Sequence, residues 1–142
     1  MEIIRTTHID RSVVWSIFVP AMRHHIEKIW GWDINWQTNE FESRYFELNT
    51  SFIVKSGKRV GYIQYELRGD STYLNMLVIR PEFQGQNLGV EVLETVLGFQ
   101  YGKQLELRCF KVNPRAIKFY INQGFEQVGE EEHFVVLRRD VA

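Results

Sequence analysis

The chain has 142 residues, 44% of them hydrophobic and 25% charged, with a formal net charge of −1 at pH 7. That length suits one domain with a real core, and the nearly neutral balance exerts no pull towards nucleic acid or an anionic membrane. No apolar run reaches the ~20 residues of a membrane span, the first residues lack the sections of a signal peptide, and the lone Cys109 excludes an internal disulfide or a cysteine-based metal cluster, so the expectation is a cytoplasmic protein with a single domain over residues 1–142.

Glu2 to Thr6 is rich in β-branched residues and predicts a first strand. Asp10 or Ser12 then caps a helix through about Trp30, with Val14, Ile17, Phe18, Ala21 and Ile29 spaced along one side. Pro20 sits midway and, lacking a backbone donor, is expected to break or bend it. Gly31 closes that helix, and Asp33 caps a second whose face carries Ile34, Gln37, Phe41, Tyr45 and Leu48. All four tryptophans, at 15, 30, 32 and 36, fall in this region.

From Ser51 the pattern changes to strands. Ser51 to Lys55, Val60 to Leu67 and Tyr73 to Ile79 are joined by Ser56-Gly57-Lys58 and Gly69-Asp70 turns, which makes them antiparallel neighbours. A helix from about Leu88 to Tyr101 buries Val92, Leu93, Val96 and Leu97 and stops at Gly102. Gln104 to Phe110 follows that helical crossover and is therefore expected to run parallel to Tyr73 to Ile79. Asn113 caps the last helix with Pro114 at its first position, and Phe125 to Val128 and His133 to Arg138 form a hairpin around Glu130-Glu131-Glu132.

The stretch from Val78 to Leu93 has the layout of a phosphate site: an apolar strand, a proline turn, a glycine-bearing loop and a helix. The first N–H groups of such a helix are unpaired and carry partial positive charge, so a diphosphate can rest on them. Gly85 and Gly89 let the backbone come close to the ligand, and Gln84 offers a side-chain donor. By itself a glycine before a helix is often only turn chemistry. A second stretch, Asn113 to Phe125, adds Asn113, Ala116, Tyr120, Gly124 and Phe125 at fixed spacing after another strand.

Together these stretches resemble the two signature motifs of the GCN5-related N-acetyltransferase (GNAT) superfamily. The first family motif, Gln/Arg-x-x-Gly-x-Gly/Ala, falls on Gln84, Asn87 and Gly89, and the second is complete. Asn87 replaces the middle glycine; Asn tolerates positive φ better than other non-glycine residues, so the loop is expected to keep its form with some loss of cofactor affinity. The resemblance covers residues 50 to 138 well and the first 50 in outline.

The resemblance implies an α/β GNAT (acyl-CoA N-acyltransferase) fold: a mixed, mostly antiparallel sheet flanked by helices, with two central parallel strands splayed around the cofactor. It implies acetyl-CoA as cosubstrate and a primary amine, on a small molecule or a protein, as acceptor. The diphosphate is then expected on Gln84, Gly85, Gln86, Asn87, Leu88, Gly89 and Val90. Backbone groups of Leu77, Val78 and Ile79 pair with the pantetheine, and Asn113 and Ala116 complete the cofactor site. Tyr120, four residues after Ala116 and on the same helix face, is the candidate acid for the leaving thiolate; its ordinary alternative is a core aromatic with a wet hydroxyl.

For the acceptor pocket the resemblance directs attention to Trp30, Trp32, Gln37, Glu66 and Tyr73, with Trp36 and Phe41 nearby; most of these aromatics are equally expected to fill a core. The candidate bases are Glu66, Tyr73, His24 and His25, each of them more ordinarily a solvated or packed residue. Relatives that acetylate protein N-termini carry a glutamate where this chain has Arg108, which argues against that substrate. A CoA-binding module without turnover is the alternative function, and transfer of a longer acyl group is a third. Homodimers are common in the resembling family, and nothing in the chain decides for one. No metal is expected, because His8, His24, His25 and His133 lack an established ligand spacing.

Overall fold

Eleven principal elements follow one another in the computed structural model, which describes residues 1–97 and 103–140. They are β1 (Glu2–Arg5), α1 (Arg11–Trp30), α2 (Ile34–Glu47), β2 (Asn49–Lys55), β3 (Lys58–Arg68), β4 (Ser71–Ile79), α3 (Leu88–Leu97), β5 (Gln104–Phe110), α4 (Pro114–Asn122), β6 (Glu126–Glu130) and β7 (Phe134–Asp140). The predicted extension of α3 to Tyr101 and its stop at Gly102 lie outside the described residues, as does the side chain of Leu97.

The strands make one seven-stranded sheet in the order β1-β2-β3-β4-β5-β7-β6. Only β4 and β5 pair in parallel, as the helical crossover between them requires. The β2–β3 hairpin turns on Ser56 (φ 52°) and Gly57 (φ 75°), both in the left-handed region that a tight hairpin needs. Each face of the sheet has its own core. Val14, Ile17 and Phe41 of α1 and α2 meet Phe52, Tyr62 and Val78 on one face. Val92, Leu93 and Val96 of α3 meet Leu105, Leu107 and Tyr120 on the other.

The helix boundaries follow their caps. Asp33 accepts from the Trp36 N–H (3.1 Å), Asn113 accepts from the Ala116 N–H (3.3 Å), and Gly31, at φ 77°, ends α1 with its N–H on the Glu27 carbonyl. The break expected at Pro20 does not occur, and α1 continues through it as one helix. Pro20 and Ser16, whose carbonyl loses the usual donor, both lie on the exposed side, open to solvent. Buried Val14, Ile17 and Ile26 hold the helix to the sheet on either side of the proline.

Candidate functional site

The parallel pairing of β4 and β5 is short. It runs from Ser71↔Gln104 to Leu74↔Leu107 and stops. Past that point β4 stays with β3 as far as Ile79, while β5 stays with β7 as far as Phe110, so the sheet opens between them. The register of β3 and β4 steps from Tyr65↔Leu74 to Gln64↔Met76 at the same level, which leaves Asn75 as an extra residue on β4. Such a bulge bends its strand and ends regular pairing. The Asn75 amide donates to Gln64 Oε1 (2.5 Å), and Gln64 donates to Thr50 Oγ1 (3.1 Å), a buried polar chain that anchors the bend to β2.

Backbone orientation past the bulge follows from alternation along the strand. The Arg80 N–H donates to the Val60 carbonyl (2.8 Å), and the Val78 carbonyl faces Gly61, so residues 78 and 80 point to β3. Leu77 and Ile79 therefore point to the open edge. The Ile79 carbonyl is already taken by the Gln84 side-chain amide (3.0 Å), which leaves Leu77 as the residue with both backbone groups on the open edge. The Val78 backbone faces β3 rather than the open edge, and its side chain is buried in the α1–α2 core. Gln84 spends one amide N–H within the chain, on the Ile79 carbonyl.

A cavity of about 330 Å³ occupies the opening and reaches both faces of the sheet. Gln37 and Tyr73 border it from the α1–α2 side, Asn113, Ala116 and Tyr120 from the α4 side, and Leu77 from β4. Tyr120 is 8% exposed, its ring edge-on to Phe119 and Phe125, and burial, with Cys109 beside it, raises its pKa above the ordinary tyrosine value. The hydroxyl therefore stays protonated at neutral pH, and among the described residues no protein group bonds it. Burial also pushes the Cys109 thiol up to about 12, which makes it an inert wall group.

Three of the expected pocket residues are not on this wall. Trp30 is 57% exposed and stacks edge-on against Phe110 and His133. Trp32 packs against Trp15 and Phe18 with the Arg23 guanidinium over its ring, and Glu66 pairs with Arg68 (2.5 Å). Of the candidate bases only Tyr73 lines the cavity; His25 lies instead against Phe110 and His24.

The loop after β4 has the strained backbone expected of a tight phosphate cradle, with Gly85 at φ 81° and Asn87 at φ 59°. A Cβ on Gly85 would meet nothing within 4 Å, so the loop is open there. At Gly89 a Cβ would lie 3.0 Å from Phe119 Cζ, so its small size also lets α3 approach α4. Residues 84–90 lie outside the cavity wall. Sequence reasoning missed Asn75 and the wall charges of Glu40 and Arg44. An Asn inside an otherwise apolar strand, where that residue is depleted, was the available signal for the bulge.

The profile of the acetyltransferase (GNAT) family matches residues 12–125. No curated protein matches the chain. Among solved structures, an acetyltransferase from Thermus thermophilus is 23% identical and superposes with a TM-score of 0.77 over 98% of this chain and 96% of that one. The PaiA N-acetyltransferase of Thermoplasma acidophilum, solved in complex with coenzyme A, is 13% identical with a TM-score of 0.77, covering 98% of each chain. A ribosomal-protein-alanine N-acetyltransferase from Brucella melitensis is 19% identical with a TM-score of 0.63 over 99% of each. The parted parallel strands and the buried tyrosine thus sit in the fold these proteins share, and with the profile spanning most of its length the chain belongs to the GNAT family of acetyltransferases.

Proposed function

We propose that residues 1–142 act as one acetyl-CoA-dependent N-acetyltransferase domain that acylates a primary amine by direct transfer. The observation that carries this reading is the break in pairing after Leu74 and Leu107, with a buried, protonated Tyr120 on its wall. Acetyl-CoA brings the acetyl group as a thioester, and the rest is the work of this chain. The open edge at Leu77 extends an amide-bearing ligand as an added strand would be extended, and its N–H is the donor for the carbonyl oxygen as charge develops there. Ala116 leaves room beside it. The start of α3, entered through Gly85 and Asn87, receives the diphosphate on its free N–H groups.

In the transfer step the neutral amine forms the new C–N bond as the C–S bond breaks, the Tyr120 hydroxyl gives its proton to the departing sulfur, and the proton shed by the new amide nitrogen restores Tyr120. Tyr73, the one candidate base on the cavity wall, passes the proton of the acceptor to solvent. An ammonium near pKa ~10.4 must lose that proton before it can attack. The coenzyme A complex of the Thermoplasma relative supports the choice of cosubstrate.

Release of free thiol from acetyl-CoA against a panel of amines, run with wild type and Tyr120→Phe, tests the reading. Turnover on one class of amine, with kcat reduced by about 10²–10⁴ in the variant, is expected for loss of a general acid. Tight coenzyme A binding with no turnover on any amine would replace the enzyme by a binding module, and undiminished turnover in the variant would remove Tyr120 from the chemistry.

A further inference from the structure

The acceptor side of the cavity has a definite charge and polarity. Its wall carries the carboxylate of Glu40 and the guanidinium groups of Arg44 and Arg108, and Glu40 is already paired with Arg44 (2.9 Å). An entering ammonium therefore finds no free carboxylate on the wall, and a second ammonium would be set against a guanidinium. Polycationic acceptors do not suit such a site.

Arg108 occupies the decisive position. Leu107 and Cys109 on either side of it point into the α3–α4 core, so alternation sends Arg108 to the opposite face, immediately past the last parallel pair. Glu131 holds its Nε and Nη2 (2.8 and 3.1 Å). Nη1 lies 3.9 Å from Glu106, an ion pair too long for a hydrogen bond, and Tyr73, whose ring sits 5.5 Å from the guanidinium carbon, is a further hydrogen-bond partner. A guanidinium has more N–H donors than these partners take, so Arg108 still has donors to offer on the cavity wall.

Opposite it, Gln37 is 6% exposed and borders the cavity, and among the described residues its side-chain amide has no protein partner. That amide is not sealed in the core but lies on the wall of the open cavity, where it can exchange water for a polar group of the ligand. Much of the remaining wall is apolar, with Phe18, Met22, Phe41, Phe110 and Phe134 beside the polar Gln64, Tyr73 and Asn75.

We propose that the acceptor is an amine with a single ammonium, an apolar body and a carboxylate, the chemistry of an apolar α-amino acid, with Arg108 receiving the carboxylate and Gln37 a polar group beside it. This deepens the acetyltransferase reading and rests on it for the reaction. Phenylalanine, 2-phenylethylamine and spermidine are suitable probes, because the first two differ only in the carboxylate and the third is a polycation.

Binding of each probe to protein saturated with coenzyme A is measured by calorimetry, alongside thiol release from acetyl-CoA. Phenylalanine is expected to bind and to react about tenfold better than 2-phenylethylamine, with spermidine last, and Arg108→Gln is expected to bring the first two within about twofold of each other. Should the variant not fold, the wild-type ratios decide. Equal or better binding of 2-phenylethylamine or spermidine, or a carboxylate preference that survives Arg108→Gln, would overturn the proposal. Carboxylate-selective binding without turnover would uphold it while refuting the acetyl-transfer reading.

Discussion

Leu74 and Leu107 face each other as the last pair of the parallel strands, and the residue after Leu74 has no partner on β3. The bulge and the opening thus arise at one level of the sheet. Asn75 holds that level by its amide bond to Gln64, which continues to Thr50 and from there to the Tyr45 carbonyl (3.2 Å). The cavity is therefore tied to α2 and β2 through side chains that take no part in the reaction.

Asn75→Ala tests this anchor. The variant leaves Gln64 Oε1, in a side chain only 3% exposed, without its donor. An orphaned buried acceptor costs about 1–3 kcal/mol. Urea unfolding is expected to show that loss, with kcat/KM falling as the bend relaxes; unchanged stability and activity together would show that the bulge stands without this chain.

Gly89→Ala places a methyl group 3.0 Å from Phe119 Cζ and 3.4 Å from Cε1. The ring must give way, and overpacking of this kind costs about 1–3 kcal/mol. Phe119→Leu shortens the neighbour, so the double variant is expected to recover about 1 kcal/mol relative to the sum of the single changes. Strict additivity in urea unfolding would mean that the two helices do not depend on this contact.

The order of elements and the parallel strand pair were legible because hydrophobic period and turn residues act locally. β5 in particular follows its predicted bounds, Gln104 to Phe110. The direction of the Val78 backbone was not legible, for the opposite kind of reason: which backbone groups face the open edge depends on a parity that the bulge at Asn75 sets between strands. The tryptophans mislead similarly. Trp30 and Trp32 are large, flanking and near the end of α1, yet the helix phase turns Phe18 and Met22 to the cavity instead. Pro20 does not break α1 because it lies on the exposed side, which its own local sequence does not encode.

Asn87 holds φ at 59° in a position where the family motif has glycine. The left-handed region costs most residues roughly 1–2 kcal/mol, and Asn less. Asn87→Ala is therefore expected to lower stability by about 1 kcal/mol and to weaken coenzyme A binding as the loop shifts. In Asn87→Gly, relief of strain and the greater freedom of the unfolded glycine should nearly cancel, within about 0.5 kcal/mol. Calorimetric titration with coenzyme A and urea unfolding check both, and an alanine variant as stable as wild type would show the strain to be absent.

Alkaline pH separates the buried titrating groups. Burial raises Cys109 to about 12 and raises Tyr62, which is 1% exposed, above the ordinary tyrosine value. A raised pKa in the folded state means that folding favours the protonated form, so the stability linked to each group is whole below its unfolded pKa and is lost as pH climbs towards its folded one. Unfolded thiols titrate near ~8.5 and tyrosines near ~10, which sets two successive windows. Stability is expected to begin falling near pH ~8.5 through Cys109 and to fall more steeply above pH ~10 as Tyr62 and Tyr120 join, by up to about 1.4 kcal/mol per pH unit for each group. Cys109→Ala should flatten the first window and Tyr62→Phe the second, each measured against its own stability at pH ~7. Urea midpoints taken from pH ~7 to ~11 would show this order, and a decline that keeps its slope in both variants would mean that these side chains reach water in the folded protein.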